Sequence, residues 1–152
     1  MVDTGALNTK EPIDVGTLCA TNYYHVDPHD NHFGVSLTEE GMDRFKAKIC
    51  IEVQWASEAA IAAIEKNGGV IRTAYYDLLS LNCLIKPKKF FEKGEPIPKR
   101  LLPTPDCIEY YTDPKNRGYL ADLEQIVIER LKLSQKYGYV LNDINKDPMV
   151  KL

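Results

Sequence analysis

The sequence lacks the short motifs that mark the commonest catalytic and cofactor sites. It contains neither GxGxxG nor GxxxxGK[ST], so it offers no glycine-rich loop for the phosphates of a dinucleotide or a nucleoside triphosphate. It also has no GxSxG, the turn that exposes a nucleophilic serine in many hydrolases. No run approaches the length of about 18 apolar residues that predicts a membrane-spanning helix. These absences argue against a nucleotide-dependent enzyme, a serine hydrolase and an integral membrane protein.

Cysteine and histidine, which often bind metals, are few. The cysteines form no CxxC pair, which argues against a zinc ribbon and a CxxC redox motif. We expect four free thiols, at Cys19, Cys50, Cys83 and Cys107. The histidines His25, His29 and His32 have the spacing HxxxHxxH, which would place three rings on one face of a helix. Because Pro28 disfavours a helix there, the segment favours an exposed polar loop. A metal-dependent enzyme built on these histidines stays an alternative.

The composition is that of one ordinary globular domain. The chain has 152 residues, of which 44% are apolar and 27% are charged. These values are close to the globular average and far from those of disordered chains. The formal net charge is −3, but residues 1–45 carry −6 and residues 46–152 carry +3. Any binding to a polyanion is therefore expected in the second part of the chain.

The clearest structural pattern lies between residues 48 and 76. Apolar residues alternate with polar ones in ICIEVQW, which predicts a strand with one buried face. An alanine-rich run follows and predicts a helix that begins after the N-cap Ser57 and ends at Gly68 and Gly69. A second predicted strand, VIRTAYY, comes next. The expected core of this strand–helix–strand unit consists of Ile49, Ile51, Val53, Trp55, Ile61, Ile64, Val70 and Ile71.

Proline dominates the stretch from Asn82 to Arg117, which holds six of the nine prolines. Because proline donates no backbone hydrogen bond and restricts the residue before it, we predict an extended arm here. The arm contains the basic strings IKPKKFFEKGEPIPKR and DPKNRGY. After the arm, Asp122 and Gly138 are suited to cap a predicted helix over residues 123–137.

Basic side chains in this predicted arm are the candidate binding residues. Phosphate binding needs exposed lysine and arginine, and neighbouring aromatic rings can stack on bases. An extended proline-rich chain can follow a groove without internal hydrogen bonds. We therefore predict RNA contacts by Lys86, Lys88, Lys89, Lys93, Lys99, Arg100, Lys115 and Arg117. The alternatives are a solvated arm that binds nothing, and a protein-interaction adaptor that uses the arm as an extended ligand.

A resemblance to a known family is carried by several strings in order. The segment AKICIEVQWASEAAIAAIEKNGGVI closely resembles the core of universal large-subunit ribosomal protein family fifteen, in which a strand leads into an alanine-rich helix that ends in Gly-Gly. The strings PIPKRLLP, YYTDPKNRGYLAD and KYGYVLNDINKDP resemble its mitochondrial branch. The resemblance runs from about Thr4 to Pro148. It implies an α/β fold with a small sheet, an irregular strand-strand-helix winding, an extended proline-rich arm and a C-terminal helix.

The resemblance also implies a function. Members are structural constituents of the mitochondrial large ribosomal subunit in the matrix, and they bind ribosomal RNA and neighbouring ribosomal proteins. The resemblance implies no catalysis, no cofactor, no membrane partner and no small-molecule substrate. We expect a globular core over 1–81, a basic arm over 82–119, and a C-terminal helix and tail over 120–152. Family members carry a basic extension before the core, and mitochondrial members continue further, so we expect this chain to be shortened at both ends.

Overall fold

The fold is known from a computed structural model that describes residues 5, 7–21, 24–26, 33–94, 96 and 99–141. Short strands and helices alternate in the first half, and helices fill the second. In chain order the elements are α1 (Val15–Ala20), β1 (Ser36–Leu37), β2 (Cys50–Val53), β3 (Trp55–Ala56), α2 (Glu58–Lys66), β4 (Val70–Thr73), α3 (Leu78–Ile85), α4 (Pro87–Lys93), α5 (Pro105–Thr112), a 3-10 turn (Pro114–Asn116) and α6 (Leu123–Tyr137). No helix in the described ranges is both long enough and apolar enough to cross a membrane.

Two pairs of parallel strands form the small sheet layer. β2 pairs with β4, with Cys50 opposite Val70 along the ladder, and β1 pairs with β3. Ile13 adds a short bridge to β2, because its N–H donates to the Cys50 carbonyl at 2.7 Å and its own carbonyl accepts from the Glu52 N–H at 2.8 Å. The predicted α/β class with a small sheet and a strand–helix–strand centre is confirmed.

Helix α2 forms where the sequence predicts it, between β2 and β4. The Ala60 N–H donates to the Ser57 hydroxyl oxygen at 3.2 Å, which satisfies one free donor at the start of the helix. At its end Gly68 takes a left-handed conformation with φ of 82°. Gly69 is needed for a different reason, since a Cβ there would lie only 2.3 Å from the Ile49 carbonyl oxygen. The glycine pair therefore ends the helix and lets β4 approach the start of β2.

The predicted core is confirmed with one exception. Seven of its eight residues are buried: Ile49, Ile51, Val53, Ile61, Ile64, Val70 and Ile71. Trp55 was expected among them, but that prediction is wrong, because 42% of its surface is exposed. The N–H groups of Gln54 and Trp55 both donate to the Val35 carbonyl, at 3.0 and 3.2 Å. Two residues opposite one form a bulge, which ends the alternation, buries Gln54 and turns Trp55 outward.

The prediction of an extended arm is wrong for most of the described residues between 82 and 119, which are helical. Pro87 and Pro105 stand in the first turns of α4 and α5, where a missing N–H costs no helical hydrogen bond. These two prolines therefore begin helices instead of preventing them. Helix α3 packs on α1 and places the fully buried Leu81 in the core. The adaptor alternative needed an extended ligand here and thereby loses its basis.

Helix α6 has the bounds that the sequence predicts. The Glu124 N–H donates to the Asp122 carboxylate at 3.1 Å, and Gly138 caps the far end with φ of 73°. The helix packs against α2 and against the 3-10 turn. The division into 1–81, 82–119 and 120–152 stays a prediction, and the contact between α2 and α6 joins the first of these parts to the last.

Candidate nucleic-acid interface

Four of the eight predicted contact residues gather at the junction of α3 and α4. Lys86 lies between the two helices, and the other three are on α4; all four are exposed. We name Lys86, Lys88, Lys89 and Lys93 the α4 lysine patch. Lys89 and Lys93 are one helical turn apart, so their charges share one face. In the part of the chain that the structure describes, none of the four forms an ion pair with a carboxylate. Their charges are therefore available to an anionic partner.

The other two predicted lysines are exposed at separate places. Lys99 precedes the loop that leads to α5, and Lys115 belongs to the 3-10 turn. Lys115 lines a cleft of about 420 Å³ together with Lys132 and Lys136 of α6. Three acidic side chains, Glu58, Asp113 and Glu129, line the same cleft. Because Lys132 pairs with Glu129 and Lys136 pairs with Glu58, most positive charge in this cleft is already neutralised.

Arg117 was expected on an exposed surface, and that expectation is wrong, because only 2% of it is exposed. Its Nε donates to Glu65 Oε1 at 2.7 Å and its Nη2 donates to Glu65 Oε2 at 3.2 Å. Its Nη1 donates to the carbonyl oxygens of Pro114 and Lys115, at 2.9 and 3.2 Å. The guanidinium is thus fully occupied inside the protein and contributes nothing to a phosphate-binding surface.

Glu65 also gathers two further groups, both from the C-terminal part of the chain. The buried Arg130 of α6 has its Nε 3.7 Å from Glu65 Oε1, and the Tyr139 hydroxyl donates to Glu65 Oε2 at 3.4 Å. Glu65 itself is 1% exposed. This buried network joins α2 to the residues after the 3-10 turn and to α6. The sequence shows these charges but gives no sign that they meet.

Arg100 is likewise engaged within the protein. Its guanidinium carbon lies 4.0 Å from the centre of the Tyr76 ring and 4.3 Å from that of Tyr119, so it sits between two aromatic faces. Its Nε and Nη2 both donate to the Tyr75 carbonyl, at 2.9 and 2.8 Å. Arg100 therefore fastens the segment before α5 to the end of β4. Of the eight predicted contact residues, the six lysines are exposed and the two arginines are internal fasteners.

A cluster of tyrosines surrounds this fastening point. Tyr111 makes edge contacts with Tyr75, Tyr110 and Tyr119, and its hydroxyl donates to the Gln54 carbonyl at 2.7 Å. Burial raises the pKa of Tyr111 to about 12. Burial also raises the pKa values of Tyr110 and Tyr119. The cluster is therefore built to remain uncharged.

We expect these phenols to make the protein base-sensitive. In the unfolded chain a tyrosine loses its proton near pH 10, whereas Tyr111 keeps its proton to about pH 12 in the folded protein. The folded state then binds more protons in this interval, so the free energy of unfolding must fall as pH rises through it. Urea unfolding at intervals from pH 8 to pH 12 measures the slope. Tyr111→Phe should flatten it in part, and a midpoint constant across the whole range contradicts the prediction.

The histidine alternative receives no support from the described residues. His25 is exposed, and His29 and His32 lie outside the described ranges. Among the residues that are described, no group of three or more histidine, cysteine, aspartate or glutamate side chains is placed to hold a metal ion. The cysteines are free and partly buried.

Comparison with known proteins bears on what such an exposed basic surface serves. A family model for ribosomal proteins, which include 50S-L15, 50S-L18e and a 60S member, matches residues 1–72. Over all 152 residues the chain is 50% identical to the large ribosomal subunit protein uL15m of Danio rerio, of which it covers 51%.

Two fungal proteins with the same name are also similar. The chain is 33% identical over 125 residues to the Schizosaccharomyces pombe protein, a match that covers 82% of this chain and 46% of that protein. It is 36% identical over 141 residues to the Neurospora crassa protein, with 79% of this chain and 44% of that protein covered. The chain spans about half the length of these relatives.

Proposed function

Because this chain belongs to the uL15 family of large-subunit ribosomal proteins, we propose that it is a structural constituent of the large subunit of the mitochondrial ribosome. The observation that carries the proposal is the 50% identity along the whole chain to a protein named for that subunit. Two fungal relatives bear the same name. The role is non-enzymatic: the protein holds ribosomal RNA and neighbouring ribosomal proteins in place.

RNA contact is assigned to the exposed lysines. The α4 lysine patch presents four cations on one short helix and its flank, and Lys99 and Lys115 add two more. Lysine acts on phosphate as a mobile point charge, which suits an RNA backbone of irregular path. The two arginines support this surface indirectly, because Arg100 and Arg117 fix the segments that carry Lys99 and Lys115.

Reversing the α4 lysine patch tests the assignment. The quadruple substitution of Lys86, Lys88, Lys89 and Lys93 by glutamate should lower affinity for large-subunit ribosomal RNA by at least about tenfold, since fewer neutralised phosphates release fewer counterions. The slope of log K against log salt should also shrink by about 0.7–0.9 for each phosphate that is no longer neutralised. Filter binding at several salt concentrations measures both quantities, and sucrose gradients of mitochondrial lysate report association with the subunit.

A matched control separates a local contact from net charge. Four other exposed cations can be reversed to give the same change in net charge: Arg44, Lys46, Lys48 and Lys66. This control variant should keep most of the affinity. Equal losses in the two variants, or no loss in the first, would show that the α4 lysine patch is not the RNA contact. Absence of the unaltered protein from the large-subunit fractions would count against the ribosomal role itself.

A further inference from the structure

A cleft of about 600 Å³ lies beside β3 and α5, and aromatic rings form much of its wall. Phe33, Trp55, Tyr75, Tyr110 and Tyr111 line it. Phe33 is 68% exposed and Trp55 is 42% exposed, so two flat apolar faces meet solvent here. We name this feature the aromatic cleft.

The aromatic cleft also contains a donor that lacks a partner. Gln54, which lines the cleft, is 8% exposed. Its Oε1 accepts from the Val35 N–H at 2.7 Å, and this bond fixes the orientation of the amide. Its Nε2 is buried and has no hydrogen-bond partner among the described residues. A buried amide donor without a partner costs roughly 1–3 kcal/mol, which a ligand with an acceptor at this point would recover.

The tyrosine walls of the cleft are held in place before any ligand arrives. The Tyr111 hydroxyl donates to the Gln54 carbonyl at 2.7 Å. The Tyr110 hydroxyl accepts from the Ala56 N–H at 3.2 Å and donates to the Ala56 carbonyl at 3.3 Å. Fixed rings lose little conformational entropy when something binds between them. The bulge at Gln54 supplies the rest of the arrangement, because it turns Trp55 outward beside these rings.

We propose that the aromatic cleft binds a single unpaired RNA base, an inference that rests on the proposed ribosomal function. Flat π-faces stack on any base, and a glutamine amide hydrogen-bonds to base edges. An aliphatic partner would fill the volume but leave Gln54 Nε2 without an acceptor. The cleft also offers an acceptor for a base amino group, because the exposed carboxylate of Asp106 lies on its rim. Lys99 stands next to Arg100, which is bound to Tyr75 of the cleft, and supplies a nearby cation for the phosphate.

The test uses the full chain and a labelled eight-nucleotide RNA of mixed sequence, either single-stranded or annealed to its complement. Fluorescence anisotropy in low salt gives both affinities. Trp55→Ala should weaken single-strand binding by roughly 5- to 150-fold, the range for loss of one stacked base, and should leave duplex binding nearly unchanged. Because Trp55 is the chain's only tryptophan, its fluorescence in the unaltered protein should be quenched by the single strand and not by the duplex.

Two further variants control for folding and for general surface effects. Gln54→Glu keeps an oxygen for the Val35 N–H but replaces the Nε2 donor by an acceptor, so it should weaken single-strand binding without removing the stacking face. Tyr137→Ala removes an aromatic ring of similar exposure, 41%, on α6 and should bind like the unaltered protein.

The outcomes distinguish the two proposals. If reversal of the α4 lysine patch weakens binding but Trp55→Ala does not, the cleft inference is wrong and the ribosomal proposal stands. An equal loss for single strand and duplex on Trp55→Ala also overturns the cleft inference. Failure of the unaltered protein to bind either RNA overturns both.

Discussion

Replacing Glu65 by alanine is expected to lower the free energy of unfolding by about 3–5 kcal/mol, the range for breaking a buried ion pair by removal of one partner. Glu65 is 1% exposed and accepts two hydrogen bonds from Arg117, with Arg130 nearby. Without the carboxylate, two buried guanidinium groups repel each other in a medium that screens charge poorly. The loss should appear in urea unfolding followed by circular dichroism, as a lower midpoint with little change in slope.

The matched control for Glu65 is another glutamate of the same helix. Glu58 pairs with Lys136 at 2.6 Å, but both side chains are more than half exposed. Water and salt screen such a pair, so Glu58→Ala should leave the unfolding midpoint close to that of the unaltered protein. A Glu65→Ala protein as stable as the Glu58→Ala protein would mean that the buried network contributes nothing to stability.

Replacing Leu81 by alanine is expected to cost about 2–5 kcal/mol, the usual range for emptying a buried leucine site. Leu81 has no exposed surface and belongs to the main apolar core. The result matters because α3 leads into the stretch that the sequence predicted as an unpacked arm. If α3 is held against α1 as the structure has it, the cavity must destabilise the whole fold.

The same helix supplies the control for Leu81. Leu79 is 62% exposed, and its replacement by alanine makes the same chemical change two residues away. Alanine is at least as good a helix former as leucine, so Leu79→Ala should be nearly neutral. Thermal unfolding of the two variants side by side gives the comparison. Equal melting temperatures would mean that α3 does not pack as described.

Sequence reasoning succeeded where the determinants lie within a few residues of one another. The alternation before residue 55, the cap at Ser57 and the glycine pair after α2 are all local, and the structure confirms the strand, the helix and its end. The same holds for α6 between Asp122 and Gly138. Trp55 was misplaced because its direction depends on the Val35 carbonyl, about twenty residues earlier. No local pattern records that contact.

The candidate site shows the same limit. The sequence identified the exposed lysines by charge alone, and all six are on the surface. It misjudged Arg117 because the burial of that residue depends on Glu65, 52 positions earlier. It also treated proline as a breaker throughout, although Pro87 and Pro105 occupy the helix positions that tolerate proline best. Gln54 escaped notice, because a missing hydrogen bond is visible only in three dimensions.

The distance along the chain between Glu65 and its partners also orders events during biosynthesis. A polypeptide grows at roughly 5–20 residues per second, so Arg117, which lies 52 residues after Glu65, is made roughly 3–10 s later. Throughout that interval the nascent chain cannot bury Glu65 as a carboxylate without several kcal/mol of desolvation cost. The strand–helix–strand unit, although local in sequence, must therefore wait for Arg117 to emerge. Its closure follows the synthesis of this distant partner rather than its own.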